Sequence, residues 1–143
     1  MPVVMVVEDD RATRESLRTA LTAFQMEVVI AANGEEAKSR MELAPADVVI
    51  SDIMMDGVSG VDLLEHIQQK HPDTAVILVT AFGTIKQAVE AMQKGAFDYL
   101  TKPINLDRLV LLVQRAHGRQ ALQRENRDLR RQLKRQFSVS GII

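Results

Sequence analysis

The sequence contains no cysteine. That excludes disulfide bridges, thiolate metal sites and a cysteine nucleophile, and it fits a cytosolic protein. No apolar run approaches the length of a membrane span, and the amino terminus has no basic segment leading into an apolar one. No membrane partner is therefore expected. Aromatic residues make up only 3% of the chain, and the basic tail has none before Phe137. Without a helix-turn-helix pattern either, direct DNA recognition by this stretch is not expected. Internal repeats and low-complexity segments are also lacking.

What is present is a core. The 143 residues are 46% hydrophobic, enough for one packed domain and a modest extension. Charge is divided unevenly along the chain. Residues 1–113 carry 10 Lys/Arg against 17 Asp/Glu, whereas residues 114–143 carry 8 against 2. An acidic globular part is thus followed by a basic tail.

The stretch Asp47 to Gly57 organises the globular part. Its apolar run ends abruptly in Asp52, the pattern of a strand buried on both faces that surfaces at its carboxyl end. Val3–Val7, Glu27–Ala31, Ala75–Thr80 and Phe97–Thr101 read as four further strands. Between them lie helical patterns. Leu17, Ala20, Leu21 and Phe24 share one face of the first, behind Asp10 as N-cap. Asn33-Gly34 opens the second, with Ala37 and Met41 inward, and Ser59 caps the third, with Val61, Leu64 and Ile67 inward. Thr84 and Gln87 form a capping box for the fourth, which Gly95 ends. Helix resumes after Asn105. Alternating strands and helices predict an α/β fold of flavodoxin-like (βα)5 type, a doubly wound five-stranded parallel sheet.

Beyond His117-Gly118, Leu122, Asn126, Leu129 and Leu133 recur at alternating steps of four and three, a heptad seam with Asn126 at an a-type position. Arg124, Arg127, Arg130, Arg131, Lys134 and Arg135 surround it. The organisation expected is a domain over 1–117, a basic helical coiled-coil linker over 118–136, and the start of a truncated downstream domain over 137–143. The alternative for the linker is a solvated basic helix.

The strands deliver Glu8, Asp9, Asp52, Thr80 and Lys102 to one edge of the sheet. Each alone has an ordinary explanation as a cap, a strand end or a surface lysine. Together, three converging carboxylates repel and raise one another's pKa unless a cation joins them. An oxygen-rich set of this kind suits Mg²⁺. Asp52 is then a candidate phosphoryl acceptor, Asp9 a metal ligand, Glu8 a ligand through water, and the Met54 carbonyl a further ligand. His66, His71 and His117 lie in helical contexts away from this edge and are expected to face solvent.

At this point residues 3–117 resemble the receiver domains of bacterial two-component response regulators. The likeness rests on V-V-E-D-D at 6–10, V-I-S-D at 49–52, V-T-A at 79–81 and K-G-A-F-D-Y-L-T-K-P at 94–103. With a basic coiled-coil-like segment behind it, the chain looks most like the NtrC type, in which an AAA+ ATPase and a DNA-binding domain follow. The resemblance implies phosphorylation of Asp52 by a sensor histidine kinase with Mg²⁺ bound, and Thr80 and Lys102 drawing toward the phosphoryl oxygens. It also implies that Tyr99, three positions before the lysine, changes rotamer as the threonine moves. Ile85 and Val89 are candidates for the switching face made by helix four, strand five and helix five, although core packing could equally explain them. The heptad seam, with Asn126 at its a-type position, predicts a parallel homodimer through the linker, with that switching face as a second candidate surface.

Three positions depart from the family or tune it. Asp56 stands where the family usually has proline, and apolar Met54 and Phe82 flank the acceptor, from which slow hydrolysis of the aspartyl-phosphate is expected. The alternative function is a Mg²⁺-dependent aspartate-nucleophile phosphatase or phosphotransferase. Such enzymes need an acid two residues after the nucleophile, and Met54 occupies that position.

Overall fold

The computed structural model describes residues 1–55, 57–81 and 85–140, with side chains as far as 135. Five strands, β1 (Val3–Val7), β2 (Glu27–Ala31), β3 (Val48–Asp52), β4 (Ala75–Thr80) and β5 (Asp98–Thr101), form one parallel sheet in the order β2-β1-β3-β4-β5. The helices are α1 (Arg11–Ala23), α2 (Gly34–Leu43), α3 (Gly60–Lys70), α4 (Ile85–Gln93) and α5 (Leu106–Ser140). This is the (βα)5 arrangement expected from the alternation.

Period-two burial explains the two layers. Val4 and Val6 of β1, Val48 and Ile50 of β3, and Ile77 and Val79 of β4 pack with Leu21 of α1 and Leu109, Leu112 and Val113 of α5. The alternate residues Met5, Val7, Val49, Val76 and Leu78 pack with Met41 of α2, Leu63, Leu64 and Ile67 of α3 and Ala88 of α4. Burying each of these valine, leucine, isoleucine and methionine side chains stabilises the fold by about 1.5–3 kcal/mol. The three central strands are sandwiched, which is why they read as continuous apolar runs.

The expected caps for the first three helices are in place. Asp10, Asn33 and Ser59 accept hydrogen bonds from the backbone N–H groups of Thr13, Glu36 and Asp62. Thr84 of the predicted capping box lies outside the described residues. Gly95, at φ +108°, makes the turn after α4.

Three expectations need correction. Phe24 is the C-cap of α1 and 45% exposed, because the chain has left the helix where that face would continue. Val61 packs against the core but is only half-buried, and Leu63, not named among the inward residues, is fully buried beside Leu64. The histidines are half-buried rather than solvent-facing. Among the described residues, His66 Nε2, His71 Nε2 and His117 Nδ1 are buried without a hydrogen-bond partner. Burial, with the charges of Lys38 and His71, lowers the His66 pKa below its ordinary 6.5.

α5 runs unbroken through residues 117–118. At 1.5 Å per residue, its 35 residues span roughly 50 Å. Up to Ala116 it supplies core residues, and from Ala121 to Arg135 every residue is exposed. No helix among the described residues is long and apolar enough to cross a membrane.

Candidate functional site

The sheet's carboxyl edge gathers the site because all five strands are parallel and end there. β1 stops at Val7. The Glu8 N–H still bonds to the Ala31 carbonyl at 3.1 Å, and the Arg14 guanidinium holds the Glu8 carbonyl at 2.8 Å. Asp10 is committed to α1 as its cap, which leaves Glu8 and Asp9 at the edge.

β3 carries Asp52 to the same edge, and the loop behind it is pinned. The Ile53 N–H donates to the Val79 carbonyl, and the Gly60 N–H to the Ile53 carbonyl, each at 2.9 Å. Gly60 must be glycine for steric reasons. A Cβ there would stand 2.5 Å from the Asp52 carbonyl oxygen and 2.7 Å from the Ile53 Cα. Sequence reasoning assigned Ser59 as the cap but gave no sign of this close approach, because nothing in one chain reports which backbone will lie against a glycine.

Glu8, Asp9 and Asp52 each offer a carboxylate oxygen, and the three lie within 4.8 Å of one another. Glu8 and Asp52 are buried, at 5% and 8% exposure, while Asp9 is exposed. Lys102 Nζ is 2.7 Å from Asp52 Oδ2 and 3.8 Å from Glu8 Oε1. The Met54 N–H donates to the other Asp52 oxygen at 3.2 Å. Thr80 is completely buried, and its hydroxyl donates to the Ala81 carbonyl at 3.1 Å. Backbone pairing sets Lys102 beside it, the Lys102 N–H donating to the Thr80 carbonyl at 2.9 Å. The Lys102–Pro103 peptide is cis.

The electrostatics follow from this crowding. Burial raises the Glu8 carboxyl from 4.5 to about 7; Lys102 opposes the shift, and the neighbouring Asp52 and Asp9 add to it. Lys102 is raised as well. Its own burial works against the charged form, but the Asp52 hydrogen bond and the charges of Glu8 and Asp52 outweigh that. Three carboxylates sharing one ammonium make a donor set of hard oxygens with excess negative charge, which fits a small divalent cation.

The structure therefore brings together Glu8, Asp9, Asp52 and Lys102, with Thr80 at the end of the adjoining strand. Tyr99 is half-buried and packs against the core on the α2–α4 side of the sheet. Met54 is 59% exposed. Asp56 and Phe82 lie outside the described residues. Ile85 and Val89 are 39% and 46% exposed, so core packing does not account for them, and Met92 on the same side of α4 is 37% exposed.

Comparison with known proteins agrees with this geometry. A response regulator receiver domain is matched over residues 4–114. The DNA-binding transcriptional regulator NtrC of Escherichia coli K12 is 39% identical over 127 residues, covering 89% of this chain and 27% of that protein. DctD of Rhizobium meliloti, a C4-dicarboxylate transport transcriptional regulatory protein, is 40% identical over 130 residues, covering 91% and 28%. Among solved structures, NtrX from Brucella abortus in complex with ADP superposes with a TM-score of 0.85 at 31% identity, over 90% of this chain and 30% of that one. A receiver domain from Clostridium thermocellum gives 0.82 at 31% identity, over 85% and 98%. The chain thus spans under a third of the length of the curated relatives it matches. With its sheet order, its acidic edge and these likenesses in accord, the chain belongs to the response regulator receiver family, in the company of NtrC-type regulators.

Proposed function

We propose that Asp52 accepts a phosphoryl group from the phosphohistidine of a sensor histidine kinase. The donor's P–N bond breaks, a P–O bond to an Asp52 carboxylate oxygen forms, and the released imidazole regains its proton. The observation that carries this reading is Asp52 itself. It is a nearly buried carboxylate at the end of a central strand, with a lysine on one oxygen, a backbone N–H on the other and two more acids beside it.

Glu8, Asp9, Asp52 and the Met54 carbonyl would hold Mg²⁺, which when bound supplies charge neutralisation for the transferring phosphoryl group. The chain's own groups do the rest. Lys102 orients Asp52 and offers its ammonium to a phosphoryl oxygen. Thr80 can turn its hydroxyl from the Ala81 carbonyl to another. That movement gives Tyr99 room to change rotamer, so phosphorylation biases the face of α4, β5 and α5 on which Ile85, Val89 and Met92 are exposed. Exposed Met54 is apolar and offers no group to activate water beside the acceptor, and with Phe82, also apolar, it supports slow hydrolysis of the aspartyl-phosphate.

An apolar groove of about 520 Å³ runs between α1 and the β5–α5 connection, lined by Ala12, Ser16, Leu17, Lys102, Pro103 and Ile104. Lys102 belongs to both groove and acidic site, so a kinase domain seated in the groove can present its phosphohistidine to Asp52. Beyond residue 117 the heptad seam pairs two copies of the chain in the cytoplasm. The state of Asp52 then reaches AAA+ and DNA-binding output domains, the architecture that the resemblance to the NtrC type implies. Turnover of a free substrate is not the reading proposed, since Met54 stands where an aspartate-nucleophile phosphatase needs its general acid.

The test is intact-mass spectrometry after incubation with a small-molecule acyl phosphate and Mg²⁺. One phosphoryl increment is expected on the wild-type chain, and none on Asp52→Ala or when the metal is chelated. An increment that survives Asp52→Ala overturns the assignment.

A further inference from the structure

Three side chains fasten the exposed part of α5 to the edge of the sheet opposite the acidic site. Gln120 is 5% exposed, directly before the stretch of α5 in which every residue is exposed. Its Nε2 donates to the backbone carbonyls of both Asp47 and Asp73. Arg127 Nη2 lies 2.5 Å from Asp73 Oδ1, and Arg124 Nη2 lies 3.7 Å from Asp47 Oδ1. Asp47 is itself a junction. Its Oδ2 accepts from the Val3 N–H at 2.8 Å, its N–H donates to the Val3 carbonyl at 2.8 Å, and its carbonyl accepts from the Ala75 N–H at 3.0 Å. The amino ends of β1, β3 and β4 thus meet the helix at one residue.

Two features of the helix give these contacts meaning. Gly118 lies two residues before Gln120 in the helix interior, and a Cβ placed there would touch nothing within 4 Å. Glycine is the weakest helix former after proline, and no packing requires it at this position, so the helix is soft just where it leaves the domain. Residues 120, 124 and 127 are spaced i, i+4, i+7 and form one stripe. The seam of Leu122, Asn126, Leu129 and Leu133 is centred roughly 160° round the helix from that stripe.

We propose that Gln120, Arg124 and Arg127 form a clasp that holds the helix straight across Gly118 and fixes its orientation on the domain as far as residue 127. Domain and linker then move as one body, and the clasp dictates which face of the linker points outward. Because the stripe and the seam lie back to back, a second helix can pair along the seam without the clasp being released.

Amide hydrogen exchange followed by mass spectrometry on the whole chain tests this. All samples carry Leu129→Asp, so that pairing along the seam does not protect the same amides. In Gln120→Ala/Arg127→Ala, amides of residues 118–128 are expected to exchange roughly tenfold faster, while those of β3 and β4 are unchanged. Adding Gly118→Ala is expected to restore most of the lost protection. Arg127→Ala alone, at an exposed position that the fold does not need, is expected to give about a threefold acceleration in the same amides. The clasp is overturned if linker amides are indifferent to these changes. It is equally overturned if β3 and β4 accelerate in parallel, or if Gly118→Ala fails to compensate.

Discussion

Lys102 and Asp52 form a 2.7 Å ion pair between the residue just beyond β5 and the last residue of β3, fifty positions apart in the chain. The same ammonium reaches Glu8 at 3.8 Å, so one cation serves two buried carboxylates. Its removal leaves a bound metal as their remaining counter-charge. Lys102→Ala is therefore expected to lower stability without metal by about 0.5–1 kcal/mol, modest for a lysine that is partly in solvent, and the melting temperature with it. It is also expected to gain more from saturating Mg²⁺ than the wild type does. Calorimetry with and without Mg²⁺ checks both parts, and an equal metal-induced shift in the two proteins would falsify the shared-cation account.

Glu8 supplies a pH dependence. Its carboxyl titrates near 7 in the folded chain against 4.5 in the unfolded one. Between those values the folded state holds a proton that the unfolded state has released. Stability without metal is thus fullest below the lower value and declines as pH rises through the higher one. Metal affinity runs the other way, because a divalent ion requires the carboxylate. Titration calorimetry at about pH 6.5, in buffers of different ionisation enthalpy, is expected to show proton release on Mg²⁺ binding. Glu8→Gln is expected to abolish most of that release and to flatten the decline of stability with pH.

Gly60 tests how the acceptor loop is held. Since a Cβ there meets the Asp52 and Ile53 backbone rather than a movable side chain, Gly60→Ala is expected to destabilise by about 2–3 kcal/mol. The displaced Asp52 should also lose phosphoryl uptake from an acyl phosphate. Gly57→Ala makes a useful contrast: a Cβ there has open space, and its φ of +79° imposes only the local backbone cost of about 1 kcal/mol. Equal destabilisation by the two changes would show that the steric argument at Gly60 is mistaken.

Asn126 bears on the linker. A polar residue at an a-type position gives up stability to specify register and a two-stranded state. Asn126→Leu is expected to strengthen association and to admit species larger than the dimer, both visible in light scattering across a concentration series. A strictly monomeric chain in both forms would instead identify the segment as a solvated helix.

Much of this was legible from residue order. Strands sandwiched by helices must be apolar on both faces, so β1, β3 and β4 announced themselves, and their carboxyl ends located Glu8, Asp52 and Thr80. Asp10, Asn33 and Ser59 were readable as caps because capping is a local interaction. What escaped depends on contacts made far along the chain. Gly60 is required by the backbone of Asp52, and Gln120 by carbonyls 73 and 47 positions earlier. His66 misled for the same reason. α2 and α3 pack together, with Lys38 and Glu42 of α2 beside it, and a helix's polar positions are covered wherever a neighbouring helix happens to lie.

α5 runs back along the sheet, from the connection that bears Lys102 to the residues that precede β3 and β4. The molecule consequently has a loading dock at one pole and an axle at the other. In the function proposed, a bulky phosphodonor approaching Asp52 and a partner helix joining the departing α5 would come from opposite directions, with the length of the strands between them. Neither would have to leave before the other arrived, so under that proposal assembly and charging proceed in either order.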